Sequence, residues 1–262
     1  MIVFVNDERV RWKTEGRVTW LTLSRPEALN ALGEQEAREF SAALPKIAKE
    51  DSRVVVLTGE GKAFSSGGDM AFIEANRKRP ASALPAIMRK FYSSFLDIRK
   101  LPQITVAKIN GAAVGAGLCL ALACDMRTVL SDARLALNFV RLGLNPGMAA
   151  WPLAKAAFGD ARARDLLLTG RFFSGKDLQE WGAAAIAVDS TADLWTATDE
   201  MAKHLASQSW TSIKILKDEM RLREDLGAYL TLEAKGQAVC FKGADIVEGV
   251  AAVREKRAPK FS

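Results

Sequence analysis

The chain has 262 residues, 49% apolar and 26% charged, with a formal net charge of +6, the profile of a globular protein with one well-buried core. Its 37 Lys and Arg are dispersed among 31 acidic residues, which argues against a nucleic-acid surface and suits a substrate carrying several phosphates. The longest uncharged run, residues 109–124, is shorter than the roughly 20 apolar residues that span a bilayer. Cys119, Cys124 and Cys240 lack metal-ligand spacing, and their odd number argues against a disulfide framework. Residues 1–7 carry no basic segment ahead of their short apolar run, so no signal peptide is expected and a cytoplasmic setting is.

In chain order, residues 2–12 and 17–23 read as strands joined by the polar turn 13–16. Ala37, Phe40, Leu44 and Ile47 recur at helical spacing and predict a helix over 33–50, which Pro45 can bend or shorten. Residues 53–58 are a mostly apolar run of the kind buried on both faces of a parallel sheet. Helices follow over 71–79 and 84–100, the first ending in Arg77-Lys78-Arg79-Pro80, read as a solvated loop, and then an apolar strand over 104–109. Strand alternating with helix is the pattern of βα crossover units in an α/β fold. Residues 125–130 and 134–137 are again strand-like, and from 151 onward the pattern is almost entirely helical. A soft boundary is placed near residue 195, separating a core (1–195) from a helical C-terminal part (196–262).

Two glycine-rich stretches organise the rest. Gly111-Ala112-Ala113-Val114-Gly115-Ala116-Gly117 passes from the end of a strand into an uncharged Ala/Leu-rich helix. Gly59-Glu60-Gly61-Lys62-Ala63-Phe64-Ser65-Ser66-Gly67-Gly68-Asp69-Met70 stands in the same relation to the strand over 53–58. Glycine lets a backbone approach closely, and the free N–H groups opening a helix favour negative charge. Such turns hold an anion, bound or developing in a reaction, or else serve close helix–sheet packing.

The pair of turns resembles those of the crotonase superfamily, the enoyl-CoA hydratase/isomerase fold. Further motifs extend the resemblance along nearly the whole chain: Ser24-Arg25-Pro26-Glu27-Ala28-Leu29-Asn30-Ala31-Leu32, Leu142-Gly143-Leu144-Asn145-Pro146-Gly147, Leu168-Thr169-Gly170-Arg171, and Glu248-Gly249 through Glu255-Lys256-Arg257. The resemblance implies a ββα spiral with a helical C-terminal part that makes trimer contacts, in a homotrimer or dimer of trimers. It also implies an acyl-CoA substrate, with coenzyme A entering as part of that substrate and no separate cofactor or metal. Carried over by position, the amides of Gly68 and Ala116 flank the thioester oxygen. Ala28, Ala63, Ser66, Gly67, Asp69, Met70, Val114 and Gly115 line the CoA and acyl site, and Lys256 and Arg257 are candidate phosphate contacts.

The same comparison marks a departure. Hydratases of this superfamily share a water between two glutamates, and the corresponding positions here are Cys119 and Phe139. Standard hydration is therefore not expected, whereas isomerisation or decarboxylation, which need an enolate, remain open. A noncatalytic acyl-CoA-binding paralogue is the alternative. Candidate substitutes are Cys119, whose thiol a helix N-terminus acidifies unless it is merely a small wall residue, and Glu74, which reaches the acyl pocket or lies on a solvated face. Arg141 and Asn145 could bind a polar acyl end. Phe139, Ala112 and Ala113 suggest an apolar acyl pocket.

Overall fold

Ten strands and eleven helices alternate in the computed structural model, which describes residues 8–221, 226–257 and 259. The first strands, β1 (Val10–Glu15) and β2 (Val18–Leu23), form an antiparallel hairpin with Glu15 opposite Val18. The turn is thus shorter than the expected 13–16, because Lys13, Thr14 and Glu15 pair across to β2. Residues 2–7 of the expected first strand lie outside the described residues.

After β2 come α1 (Glu34–Ile47), β3 (Val54–Gly59), β4 (Ala63–Ser65), α2 (Met70–Arg77), α3 (Leu84–Leu96), β5 (Ile104–Ile109), β6 (Ala112–Val114), α4 (Ala116–Leu122), β7 (Met126–Leu130) and β8 (Arg134–Ala136). The remainder is α5 (Ala150–Phe158), α6 (Asp160–Thr169), β9 (Phe172–Ser174), α7 (Gly175–Glu180), β10 (Ile186–Val188), α8 (Thr191–Ser207), α9 (Trp210–Arg221), α10 (Leu226–Cys240) and α11 (Ala244–Arg254). Two of these strands, β9 and β10, interrupt the stretch whose pattern is helical. Three residues are too few to show alternation. Pro45 does not break α1: it sits in the last turn, where its missing amide would have served only the carbonyl of exposed Ser41.

A six-stranded sheet has the order β1-β2-β3-β5-β7-β10, parallel except for the first pair, and a four-stranded sheet has the order β4-β6-β8-β9. Val54, Val55, Val56 and Leu57 of β3 are fully buried. Val55 and Leu57 belong to the main core, whereas Val54 and Val56 pack with Ile104, Val106 and Ala202 and Ala206 of α8. Each such side chain contributes about 1.5–3 kcal/mol of burial, so both faces hold the strand. On the same face as α8, Trp195 stacks on Trp20 with centroids 4.3 Å apart, and the hydroxyls of Thr128 and Thr198 lie 2.7 Å apart. Residue 195 therefore lies inside one continuous helix, with Leu194 and Thr198 buried on one side of it and Ala202 further along. A boundary at that position would cut the helix that covers the sheet.

Candidate active site

The two glycine turns leave the C-terminal ends of β4 and β6, adjacent parallel strands of the smaller sheet. The long strands β3 and β5 do not feed the turns directly, as the sequence pattern suggests; each is followed by a short strand that crosses to the second sheet. Ligands of parallel sheets gather at such strand ends. Gly67, at φ 96°, and Gly117 permit the close approach: a side chain at 67 would begin 2.5 Å from the Val114 carbonyl oxygen, and one at 117 would begin 2.5 Å from that of Ser65. The N–H of Gly67 is taken by Ser65 Oγ and that of Asp69 by the Leu32 carbonyl. The Gly115 N–H goes to Ala136. Among the described residues, no acceptor takes the N–H of Gly68 or that of Ala116.

The segment that includes Ala28 is laced to the first turn. Ser66 N–H donates to Leu29, Leu32 N–H to Gly67, and Ser66 Oγ to the Ala28 carbonyl at 3.3 Å. Two buried asparagines pin the loop between β3 and β4. Asn30 Nδ2 donates to the carbonyls of Glu60 and Ala63, and Asn110 Nδ2 to those of Gly59 and Gly61. Asp69 caps α2, its Oδ1 accepting from Ala71 N at 2.8 Å and Phe72 N at 3.2 Å, while Oδ2 takes Arg25 at 2.6 Å. Burial pushes this carboxyl upward, but the Arg25 hydrogen bond and the two amides outweigh it and hold the group below its ordinary value.

Ser66, Gly67, Gly68, Met70, Gly115, Ala116 and Phe139 all border one cavity of about 150 Å³. Phe72, Phe91, Met88, Met148 and Phe241 supply much of the remaining wall. No charged side chain lines it among the described residues. Ala63 and Val114 stand behind this surface in the sheet, as does Ala113, which is fully buried.

Several candidate polar residues are elsewhere. Glu74 is turned away, paired with Arg254 of α11, because α2 presents Ile73 to the cavity and the neighbouring position faces outward. Arg141 is exposed, its guanidinium 6.0 Å from the Phe172 ring, and Asn145 is exposed as well. Lys256 is exposed past the end of α11, and Arg257 is engaged by Glu248 and Glu255. None of these lines the cavity. Cys119 is fully buried, its Sγ 3.8 Å from the Gly147 carbonyl. Burial, then the neighbouring Glu233, pushes its thiol well above the ordinary range. Desolvation thus acts against the helix N-terminus, and the shift is opposite to the expected acidification.

Three polar residues beside the cavity escaped the sequence reading: Tyr92 on α3, and Glu233 and Gln237 on α10. Tyr92 and Gln237 line the cavity, and Glu233 lies one helical turn from Gln237. Glu233 Oε2 accepts from Ala149 N at 2.6 Å. Burial pushes this carboxyl up to about 8, against the opposing pull of the Ala149 and Ala150 amides. Their signal was present. Leu230, Glu233, Ala234, Gln237, Ala238 and Phe241 are all buried at helical spacing, so two polar side chains stand within an apolar stripe, where burial costs free energy unless something compensates.

With this geometry in hand, comparison with known proteins gives a consistent result. The model of the enoyl-CoA hydratase/isomerase family matches residues 13–262. The 1,2-epoxyphenylacetyl-CoA isomerase of Escherichia coli (strain K12) is 33% identical over 253 residues, covering 95% of this chain and 96% of its own. An enoyl-CoA hydratase/isomerase structure from Pseudoalteromonas atlantica T6c superposes with TM-score 0.84 at 29% identity, covering 97% and 100% of the two chains. The enoyl-CoA hydratase of Bacillus halodurans shares the fold at TM-score 0.86 and 23% identity, covering 94% of this chain and 100% of that one. The chain, an α/β protein with the crotonase-like arrangement of two sheets and C-terminal helices, belongs to the enoyl-CoA hydratase/isomerase family, whose members act on CoA thioesters.

Proposed function

We propose that this protein isomerises an acyl-CoA thioester through an enolate, with the thioester oxygen seated between the N–H groups of Gly68 and Ala116. The observation that carries this reading is the pair of acceptor-free amides, on adjacent strand ends, facing an apolar cavity. Preorganised donors aimed at a developing negative charge are worth most where water is excluded. Proton abstraction beside the carbonyl places the charge on that oxygen, and return of a proton at another carbon completes the isomerisation.

Hydration is disfavoured because Phe139, on the cavity wall, and Cys119, buried away from the lining, supply no carboxylate pair to share a water. Decarboxylation draws on the same enolate, but it requires a bound carboxylate, and among the described residues no cation lines the cavity. The aromatic and methionine walls, and a volume of about 150 Å³, comparable to an engineered cavity that takes benzene, favour a compact, ring-bearing acyl group. A relative named for an epoxyphenylacetyl-CoA points the same way. Ala28 and the turn from Ser66 to Met70 are the proposed pantetheine contacts. Exposed Ile215, Leu216 and Met220 on α9 support assembly into the proposed homotrimer or dimer of trimers, which sedimentation velocity tests. Among the described residues no helix is long and apolar enough to cross a membrane.

The deciding experiment is incubation of the protein with phenylacetyl-CoA and with crotonyl-CoA in D₂O, followed by mass spectrometry. Deuterium exchange beside the thioester, faster for the phenylacetyl compound, is expected, with no addition of water to crotonyl-CoA. Tight binding of both without exchange would favour the noncatalytic paralogue, a reading that the absence of both glutamates supports.

A further inference from the structure

Two buried polar atoms beside the cavity have no hydrogen-bond partner among the described residues: the Tyr92 hydroxyl and Glu233 Oε1. Their side chains are 1% and 7% exposed. Leaving such groups unpaired costs about 1–3 kcal/mol each, and unsatisfied buried atoms at a cavity point to a function realised when it is filled. Both belong to one cluster. Helices α3 and α10 pack against each other, and both residues adjoin the turn 147–149 that leads into α5. A side chain at Gly147 would begin 2.5 Å from the Tyr92 hydroxyl and 2.5 Å from Gln237 Nε2, so its absence leaves room for those groups. Glu233 is fixed by its other oxygen on Ala149 N, which leaves Oε1 available.

Resting on the enolate reading above, we propose that Tyr92 and Glu233 form the proton relay of this site, with the Tyr92 hydroxyl touching the acyl group and Glu233 acting through it. In the forward step the substrate C–H bond breaks and its proton passes to the Tyr92 oxygen, as the phenolic proton passes through a bridging water to Glu233 Oε1, since the two groups make no direct hydrogen bond. The C–H electron pair moves into the thioester, and the negative charge leaves the carboxylate for the oxygen held by Gly68 and Ala116. Reversal at a second carbon returns the proton and regenerates the carboxylate. No other reactant is consumed. Gln237 borders the same space and orients the acyl group.

Among the described residues, the titratable groups that interact with Glu233 are Tyr92 from α3 and Cys119 from α4, and burial pushes both upward. With no cation among them, Glu233 titrates near 8, close to the working range of a general base. Activity therefore rises with pH through that region.

The test compares wild type, Glu233→Gln and Tyr92→Phe in the D₂O exchange assay with phenylacetyl-CoA between pH 6 and 9.5. Glu233→Gln keeps an acceptor for Ala149, and Tyr92→Phe removes only an unpartnered hydroxyl. Each is expected to slow exchange by about 100-fold, with calorimetric affinity for phenylacetyl-CoA unchanged within about threefold. The double variant is expected to be no slower than either single one, and the alkaline rise is expected to vanish in Glu233→Gln. A structural cap for α5 would leave the rate and pH profile of Glu233→Gln intact. Wild-type exchange with both variants within threefold of it overturns the relay and leaves the enolate reading standing. No exchange in wild type overturns both. If Glu233→Gln fails to fold, Tyr92→Phe decides by the same criterion.

Discussion

The cavity has two unlike walls. The wall built by the sheets offers backbone N–H groups, at Gly68 and Ala116, held by strand pairing and by Asn30 and Asn110. The helical wall offers side chains: Tyr92 from α3, Gln237 and, behind it, Glu233 from α10. Backbone donors survive almost any substitution, since a side chain such as that of Ala116 leaves the amide in place. Side-chain chemistry changes with a single codon. On the proposed enolate reading, the step that holds the oxyanion rests on main chain and the selective step on side chains, so reactions can diverge on one fold.

The largest effect expected from breaking this contrast comes from moving a backbone donor. In Gly117→Ala the new methyl would begin 2.5 Å from the Ser65 carbonyl oxygen and 2.8 Å from Ser65 Oγ. The start of α4 must then withdraw from β4, carrying the Ala116 N–H with it. Loss of one such donor costs about 10²–10³ in kcat, and the overpacking about 1–3 kcal/mol of stability. Exchange rates and urea midpoints for this variant and for Gln237→Ala test the difference between the walls. The helical-wall variant is expected to change KM more than kcat, because Gln237 orients the acyl group without holding the oxyanion.

The two walls also differ in how legible they are. The sheet wall is readable because its determinants are local: the apolar runs over 54–57 and 104–109 and the glycines that follow are contiguous in sequence. Even there, the three-residue strands β4 and β6 are invisible to pattern, and the glycine turns are consequently assigned to β3 and β5. The helical wall depends on contacts distant in sequence. Glu233 reaches the amide of Ala149 across 84 positions, and nothing in the sequence around either residue announces the other. Cys119 illustrates the reverse error. Its place near a helix N-terminus suggests an acidified thiol, but full burial against Gly147 reverses the sign.

The walls also respond differently to pH, because burial pushes the Glu233 carboxyl on the helical side up to about 8. The Glu233 carboxyl ionises near its ordinary 4.5 in the unfolded chain and near 8 in the folded one. Between these values the folded state holds the extra proton, so stability falls as pH rises, by about 1.4 kcal/mol per unit. That loss levels off above 8. Glu233→Gln removes the slope and is expected to gain on wild type progressively from pH 5 to pH 8 in urea unfolding. Parallel curves would mean that Glu233 is ionised when folded, and the helical wall would then carry a fixed charge rather than an exchangeable proton.

The smallest expected effect concerns Asp69, which supports the sheet wall without touching the cavity. Its Oδ1 caps α2 through the amides of Ala71 and Phe72, and its Oδ2 holds Arg25. Asp69→Ala therefore frees two helix-end amides and is expected to cost about 1–2 kcal/mol, while kcat changes by less than about tenfold because the Gly68 amide is still placed by the Leu32 pairing. The pH response runs opposite to that of Glu233. The folded-state value lies below the ordinary 3.8, so this stabilisation is fully present above 3.8 and is lost as pH falls through the lower, folded value. Urea midpoints of wild type and Asp69→Ala should thus be well separated at pH 7 and converge in strong acid. A gap that persists there would assign the effect to packing of the Asp69 side chain rather than to its charge, and a large fall in kcat would mean that the sheet wall's geometry depends on this brace as well as on its strands.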